Sequence, residues 1–283
     1  MIEKAKTLLL SLTPIALMYI IQIAAALGGQ ILIIWANQFM AMAHVYQSPV
    51  LQYAVDQYVY IVSAASYGLF FLVGYFWYRR IVADRRAVYL ERGYKPALDS
   101  GAIIGIFFTA LFLQFAVSSL LDILAVVAPH LMEQYMKVME GLGVAKPSVV
   151  SMLYVVVMAP LAEELLMRGL CLKILERSFP FWAANFLQAL FFGFYHMNLI
   201  QGCYAFVMGL ILGRLVKKYG TLKASILCHF IINFSGQVMS VINFSVLGIF
   251  LGTLVCAGVW WFCIYGKNGK TRIICIDNQV SMK

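Results

Sequence analysis

Glu163 and Glu164 are adjacent acids inside an apolar stretch, and Arg168 follows four residues after the second acid. Ionisable side chains are costly to place in such a stretch, and they usually mark a functional site. Glu164 and Arg168 have the spacing of neighbours on one helical face, so we expect them to form a charge-compensated pair. Glu163 is rotated by about 100° from Glu164. It therefore faces a different partner and is suited to act on water as a general base.

Two of the four histidines also lie in apolar stretches, and each has a partner four residues away. Phe192 precedes His196, and Asn233 follows His229, so each pair shares a helical face. We expect His196 to orient or deprotonate a water molecule together with Glu163. We expect His229 and Asn233 to donate N–H groups to the oxyanion of a tetrahedral intermediate.

A bound metal ion is the alternative way to activate water with the same side chains. Glu163, His196 and His229 have the donor types of a catalytic zinc site with three protein ligands and one open position. Both options stay open: a divalent metal such as zinc, or no cofactor. The sequence contains neither the H-E-x-x-H signature of zincins nor the G-x-G-D of membrane aspartyl proteases.

These polar groups must be positioned by membrane-spanning helices, because the chain is 63% hydrophobic and only 12% charged. Soluble domains carry about 25% charged residues. The predicted fold class is all-α, a polytopic membrane protein with about eight transmembrane helices, although seven remain possible. The predicted spans are 8–34, 57–78, 101–121, 149–172, 181–198, 202–216, 224–242 and 244–265.

The basic residues indicate the orientation. Most of the 21 Lys and Arg residues fall on one side if both termini are cytoplasmic, which is the positive-inside pattern. Attraction to anionic lipid head groups accounts for the net charge of +9 without a nucleic-acid partner. The first apolar stretch is too long for a cleaved signal peptide, so we interpret it as a retained helix. We expect a multi-pass protein of the cell (plasma) membrane.

The predicted turns place the polar groups at one depth. Glu163 and His196 are equally far from a turn near residues 179–180, and His229 follows the next turn near residues 219–220. On straight helices with a rise of about 1.5 Å per residue, the groups lie at a similar level. Each buried polar group alone is more typical of helix packing, but their joint placement favours one catalytic centre.

Three stretches resemble the motifs of one family of membrane proteases. Residues 159–169, A-P-L-A-E-E-L-L-M-R-G, resemble its E-E-x-x-x-R motif. Residues 192–196, F-G-F-Y-H, resemble its F-x-x-x-H motif, and residues 229–233, H-F-I-I-N, its H-x-x-x-N motif. The family is that of the CAAX proteases and bacteriocin-processing enzymes (CPBP or Abi), which includes relatives of the type II CAAX prenyl proteases. The chain departs from it at Met167, where members often have Phe.

The resemblance covers residues 149–241 and implies an eight-helix intramembrane endopeptidase that cuts near the carboxyl end of a substrate. Members are often labelled metalloproteases, although a metal-free, glutamate-activated water is also argued for the family. The implied partners are a peptide or protein substrate, lipidated in some relatives, and membrane lipids. The resemblance implies that the catalytic residues are Glu163, His196, His229 and Asn233, with Glu164 and Arg168 completing the first motif.

We expect three regions: a three-span scaffold at 1–148, a catalytic core at 149–241, and a last span with a short cytoplasmic tail at 242–283. The six cysteines include no C-x-x-C pair and indicate neither a disulfide framework nor a thiolate metal site. Two other functions stay open. One is a non-enzymatic role in bacteriocin self-immunity or scaffolding. The other is a transporter with a helix broken at Pro160, although no internal repeat supports it.

Overall fold

The computed structural model describes residues 2–42, 53, 55–91, 98–141, 148–242 and 246–265. These residues are almost entirely helical, and no strand occurs among them. The helices are α1 Ile2–Met42, α2 Tyr58–Glu91, α3 Ser100–Val127, α4 Pro129–Gly141, α5 Val149–Leu175, α6 Phe181–Tyr195, α7 Leu199–Tyr219, α8 Leu222–Val241 and α9 Val246–Tyr265. The predicted turn at Asn243 and the predicted tail after Gly266 lie outside the described residues.

Five helices in the described part of the chain are long and apolar enough to cross a membrane: α1, α2, α3, α5 and α7. The predicted all-α membrane architecture is therefore confirmed, while the count of eight spans and the cytoplasmic termini stay predictions. Helix α6 has 15 residues and is about 22 Å long. A helix of that length that starts at one membrane surface ends inside the hydrocarbon layer, which is about 30 Å thick.

Helix α4 lies between the predicted spans 101–121 and 149–172. Its Tyr135 is buried, and the Tyr135 hydroxyl lies 3.5 Å from the Tyr204 hydroxyl of α7. The helix is therefore attached to the bundle through an aromatic side chain.

Capping residues fix where the site-bearing helices begin and end. Ser148 precedes α5, and its side chain and that of Ser151 each accept the other's backbone N–H in a capping box. Asn198 precedes α7, and its side chain accepts the backbone N–H of Gln201. Helix α7 ends at Gly220, whose φ of 65° is a left-handed conformation that glycine adopts without strain. These turns make α5, α6, α7 and α8 consecutive hairpins.

Helix α5 departs from regular α-helical winding at two places. Two π-helical turns, Leu153–Met158 and Leu165–Cys171, flank the α-helical segment Ala159–Glu164. Pro160 lies in this middle segment and lacks the N–H that would continue the hydrogen-bond ladder. Turns of the π type are often found at functional sites. In this helix they bracket the two adjacent acids.

Two large buried apolar clusters hold the bundle together, and the first of them contains residues of α5. The first cluster combines side chains of α1, α2, α5, α6 and α7, among them Met18, Phe70 and Phe192. The second combines α3, α7 and α8, among them Ile106 and Leu212. Dry packing on several sides leaves the polar groups of α5 dependent on protein partners.

Hydrogen bonds from two side chains of α6 to backbone carbonyls of α7 join these helices. Asn185 Nδ2 donates to the Leu210 carbonyl at 3.0 Å, and Gln188 Nε2 donates to the Gly209 carbonyl at 2.9 Å. The Asn185 side chain lies so close to the α7 backbone that a Cβ added at Gly213 would overlap Asn185 Oδ1. This contact sets the spacing of the hairpin that carries His196 in its turn.

Candidate active site

Glu164 and Arg168 form a fully buried ion pair. Arg168 Nη1 donates to Glu164 Oε1 at 2.8 Å, and both side chains have 0% exposure. The predicted i,i+4 pair is thus present, and the two charges compensate each other in a dry environment. Arg168 also lies with its Cζ atom 4.6 Å from the centroid of the Phe192 ring, within the range of a cation–π contact.

His229 joins this pair from α8. Its Nδ1 atom lies 2.9 Å from Glu164 Oε1, the same oxygen that Arg168 binds. A carboxylate can only accept, so the proton of this hydrogen bond is on Nδ1 of the histidine. The other ring nitrogen, Nε2, lies 3.9 Å from Glu163 Oε2. Glu164 therefore orients the imidazole so that it faces Glu163.

Glu163 is also buried, with 6% exposure, and its two oxygens have different surroundings. Oε1 accepts a hydrogen bond of 3.1 Å from the hydroxyl of Tyr67, a residue of α2. Oε2 is the oxygen closer to His229. Glu163 and Glu164 thus have different hydrogen-bond partners, Tyr67 for the first and Arg168 with His229 for the second, although the His229 ring lies near both acids.

His196 lies just past the end of α6 and not inside a helix. Its Nδ1 donates to the Phe192 carbonyl at 2.8 Å, which leaves Nε2 as the acceptor nitrogen. The next residue, Met197, has a φ of 52°, a left-handed conformation that is unfavourable for a side chain of this size. The predicted span 181–198 therefore ends early, at Tyr195. Among the described residues, no hydrogen bond joins His196 to Glu163.

The Phe192 ring contacts three other residues of the candidate site. The rings of His196 and His229 both meet the Phe192 ring edge-on, with centroids 4.8 and 6.0 Å away. Arg168 approaches the same ring. One motif residue each from α5, α6 and α8, namely Arg168, His196 and His229, therefore meets the Phe192 ring, while the predicted common depth stays a prediction.

Asn233 lies on α8 one turn beyond His229 and faces the backbone of α5. Its Nδ2 donates to the Val155 carbonyl at 2.8 Å. Val155 lies in the first π-helical turn, where carbonyl groups leave the regular ladder. One amide N–H is thus engaged by the protein, and the role of Asn233 toward an oxyanion stays a prediction.

The candidate metal ligands do not form a ligand set in these positions. Within the part of the chain that the structure describes, no group of three or more His, Cys, Asp or Glu side chains is placed to hold a metal ion. Nδ1 of His196 is bonded to a carbonyl and Nδ1 of His229 to Glu164, so Nε2 is the nitrogen of each ring that is left for a metal. Glu163, His196 and His229 are not grouped as a three-ligand set in these positions, and the metal stays a prediction.

A chain of hydrogen bonds reaches Glu163 through Tyr67 on α2, Tyr195 on α6 and Gln22 on α1, and α1 and α2 belong to the region predicted as scaffold. The hydroxyls of Tyr67 and Tyr195 are 2.8 Å apart, and Gln22 Nε2 donates to the Tyr195 hydroxyl at 3.2 Å. We missed these residues because the candidate site was assembled from charged side chains, two histidines and one asparagine. The available signal was the position of Tyr67, deep within its apolar span and away from either end.

Comparison with known families agrees with the motifs. Residues 145–235 match the family model described as Type II CAAX prenyl endopeptidase Rce1-like. The predicted resemblance to the CAAX protease family is thereby confirmed for this segment, which contains all six motif residues. Helices α1, α2 and α3 lie outside the matched segment. No curated protein and no solved structure matches the chain.

Proposed function

We propose that this protein is an intramembrane endopeptidase of the CAAX type. It hydrolyses a peptide bond near the carboxyl end of a membrane-associated or lipidated peptide or protein, in the plasma membrane and in contact with its lipids. The observation that carries the proposal is the convergence of Glu163, Glu164, Arg168 and His229 in one buried cluster, within the segment that matches the family model.

The proposed reaction is the attack of water on the peptide carbonyl carbon. Glu163 takes a proton from the water, and Nε2 of His196 accepts a hydrogen bond that orients it. The new C–O bond gives a tetrahedral intermediate with a negative oxygen. Collapse breaks the C–N bond, and the proton held by Glu163 passes to the departing amine. The products are a carboxylate and an amine.

The proposed oxyanion donors are on α8. His229 donates from Nε2 when that nitrogen is protonated, and Glu164 on the other side fixes the ring for this role. Asn233 has two amide N–H groups. One is bonded to the Val155 carbonyl, and the second is the proposed donor. Such donors act most strongly in a dry site, where their charge is poorly screened.

The test uses purified full-length protein in detergent and a library of fluorogenic peptides, with and without a lipid at the carboxyl end. We expect the wild type to cleave and the Glu163→Gln variant to lose at least about 100-fold in kcat, the range of general-base catalysis. His196→Ala should lose a similar factor. Glu133→Gln is the control, because Glu133 is an exposed acid on α4.

Wild-type rates in both the Glu163 and His196 variants would overturn the proposal. Cleavage lost equally in the Glu133 control would show that the assay reports general damage. If a Glu163→Gln variant that inserts normally keeps full cellular function, the non-enzymatic role would be favoured.

A further inference from the structure

We infer that Tyr67 is a positioning residue of the proposed peptidase, holding one oxygen of Glu163 so that the other faces the reacting water. This inference rests on the proposed function. It assigns a role in the reaction to α2, a helix outside the segment that matches the family model.

The hydrogen-bond directions along the chain are fixed by chemistry. The Glu163 carboxylate can only accept, so the Tyr67 proton points at Oε1 across 3.1 Å. The Tyr67 oxygen then accepts the Tyr195 proton across 2.8 Å. The Tyr195 oxygen in turn accepts from Gln22 Nε2. Every donor in this series of hydrogen bonds points toward Glu163, and hydrogen bonds aligned in this way strengthen one another.

The two tyrosines in this series of hydrogen bonds are themselves held in place. The Tyr67 ring has 4% exposure and meets the Tyr154 ring edge-on, with centroids 5.2 Å apart. The backbone at Tyr195 is held as well, because its carbonyl accepts a hydrogen bond from the Tyr19 hydroxyl at 2.9 Å. A donor fixed by packing can fix its acceptor, which a freely rotating hydroxyl cannot do.

The consequence for Glu163 is a defined rotation of its carboxylate. The terminal torsion of a glutamate is broad, so the plane of the carboxylate is set by its partners. Tyr67 binds Oε1, and Oε2 is left directed to the side where His229 Nε2 lies 3.9 Å away. General-base catalysis depends on this orientation of Oε2, because the base must reach the proton of a positioned water molecule.

Tyr60 shows that a buried tyrosine of α2 does not need this kind of bond. It lies two helical turns before Tyr67 and has 5% exposure. Its hydroxyl has no hydrogen-bond partner among the described residues. Tyr60 and Tyr67 have similar exposed fractions but differ, among the described residues, in whether the hydroxyl has a hydrogen-bond partner, so Tyr60 supplies a matched control.

The test compares Tyr67→Phe with Tyr60→Phe, since each removes one hydroxyl and keeps the ring. We expect Tyr67→Phe to lower kcat by about 10- to 100-fold, the value of one hydrogen bond to a charged group. KM should stay within about two-fold, because the lost bond is not to substrate. Tyr60→Phe should leave both constants near those of the wild type. Thermal unfolding of each variant checks that the bundle is intact.

Infrared spectroscopy supplies a readout that does not need activity. The difference between the wild type and Glu163→Gln identifies the carboxyl band of Glu163. That band should shift in Tyr67→Phe and stay in place in Tyr60→Phe.

An unshifted band in Tyr67→Phe overturns the inference, and so does an unchanged kcat in an active enzyme or a loss confined to KM. Equal losses in Tyr67→Phe and Tyr60→Phe overturn it as well. A shifted band in a protein that cleaves no peptide overturns the proposed function instead, and leaves the contact of Tyr67 with Glu163 established.

Discussion

Glu164 and His229 meet at 2.9 Å, and this contact joins two helices whose motif residues are 65 positions apart in the chain. Arg168 binds the same carboxylate oxygen at 2.8 Å. Glu164 therefore has two tasks. It compensates a buried guanidinium, and it sets the orientation of a ring that faces Glu163.

The buried pair predicts a strong coupling between its members. Glu164→Gln leaves Arg168 as an uncompensated buried charge, and Arg168→Met leaves Glu164 in the same state. Each single change should lower the free energy of unfolding by about 3–5 kcal/mol. The double variant should lose much less than the sum, because neither charge is left alone. Equilibrium unfolding of purified protein in mixed micelles measures the cycle.

The matched control for this cycle is the exposed i,i+4 pair of Glu133 and Lys137, with side chains 60% and 69% exposed. Glu133→Gln should change the free energy of unfolding by about 0.5 kcal/mol or less, because water screens the pair. Strictly additive losses in the buried cycle, or losses no larger than the control, would contradict the assignment of Glu164 to Arg168.

The contact of α6 with α7 predicts a different effect of the same substitution at two glycines. Gly213→Ala places a methyl group where Asn185 Oδ1 lies, so it should lower the free energy of unfolding by about 1–3 kcal/mol. Gly28→Ala introduces a methyl group into open space within α1, and should raise it by up to about 1 kcal/mol through helix propensity. Thermal unfolding in one detergent compares them. Equal shifts of Tm would show that the close approach at Gly213 does not exist.

The arrangement of the candidate ligands predicts that cleavage survives removal of metal ions. Glu163, His196 and His229 do not form a ligand set in their observed positions. After dialysis against 1,10-phenanthroline, kcat should stay within about two-fold of the untreated enzyme, whereas zinc enzymes that lose their metal lose activity. A zinc peptidase treated in the same detergent checks that chelation works. Loss of cleavage that added zinc restores would contradict this prediction.

Local relationships were the part of the site that the sequence could predict. Glu164 and Arg168 are neighbours in any helix, so their spacing was sufficient to pair them. The contact of His229 with Glu164 was not predictable, because it depends on the rotation and tilt of α8 against α5. We therefore assigned His229 to an oxyanion and overlooked the acid that orients it.

Helix ends and neutral partners were the part that sequence reasoning missed. The residues up to Tyr195 are largely apolar, and the hydropathy pattern does not predict where α6 ends. The left-handed backbone conformation of Met197, just past that end, is visible only in the structure. Tyr67 carries no charge at neutral pH, so hydropathy treats it as one more aromatic residue of a span. Its importance appears only when its hydroxyl is seen beside Glu163.

In the two π-helical turns of α5, the direction of each side chain depends on the number of residues in the turn. A turn of this kind accommodates one residue more than an α-turn. Deleting one residue from Leu165–Cys171 would let the ladder close as an ordinary α-helix, so the segments before and after it would keep their orientation while side chains inside the turn would change theirs. Such a deletion would redirect Arg168 relative to Glu163 and Glu164 without replacing any of the three residues, so the number of residues between them carries chemical information of its own.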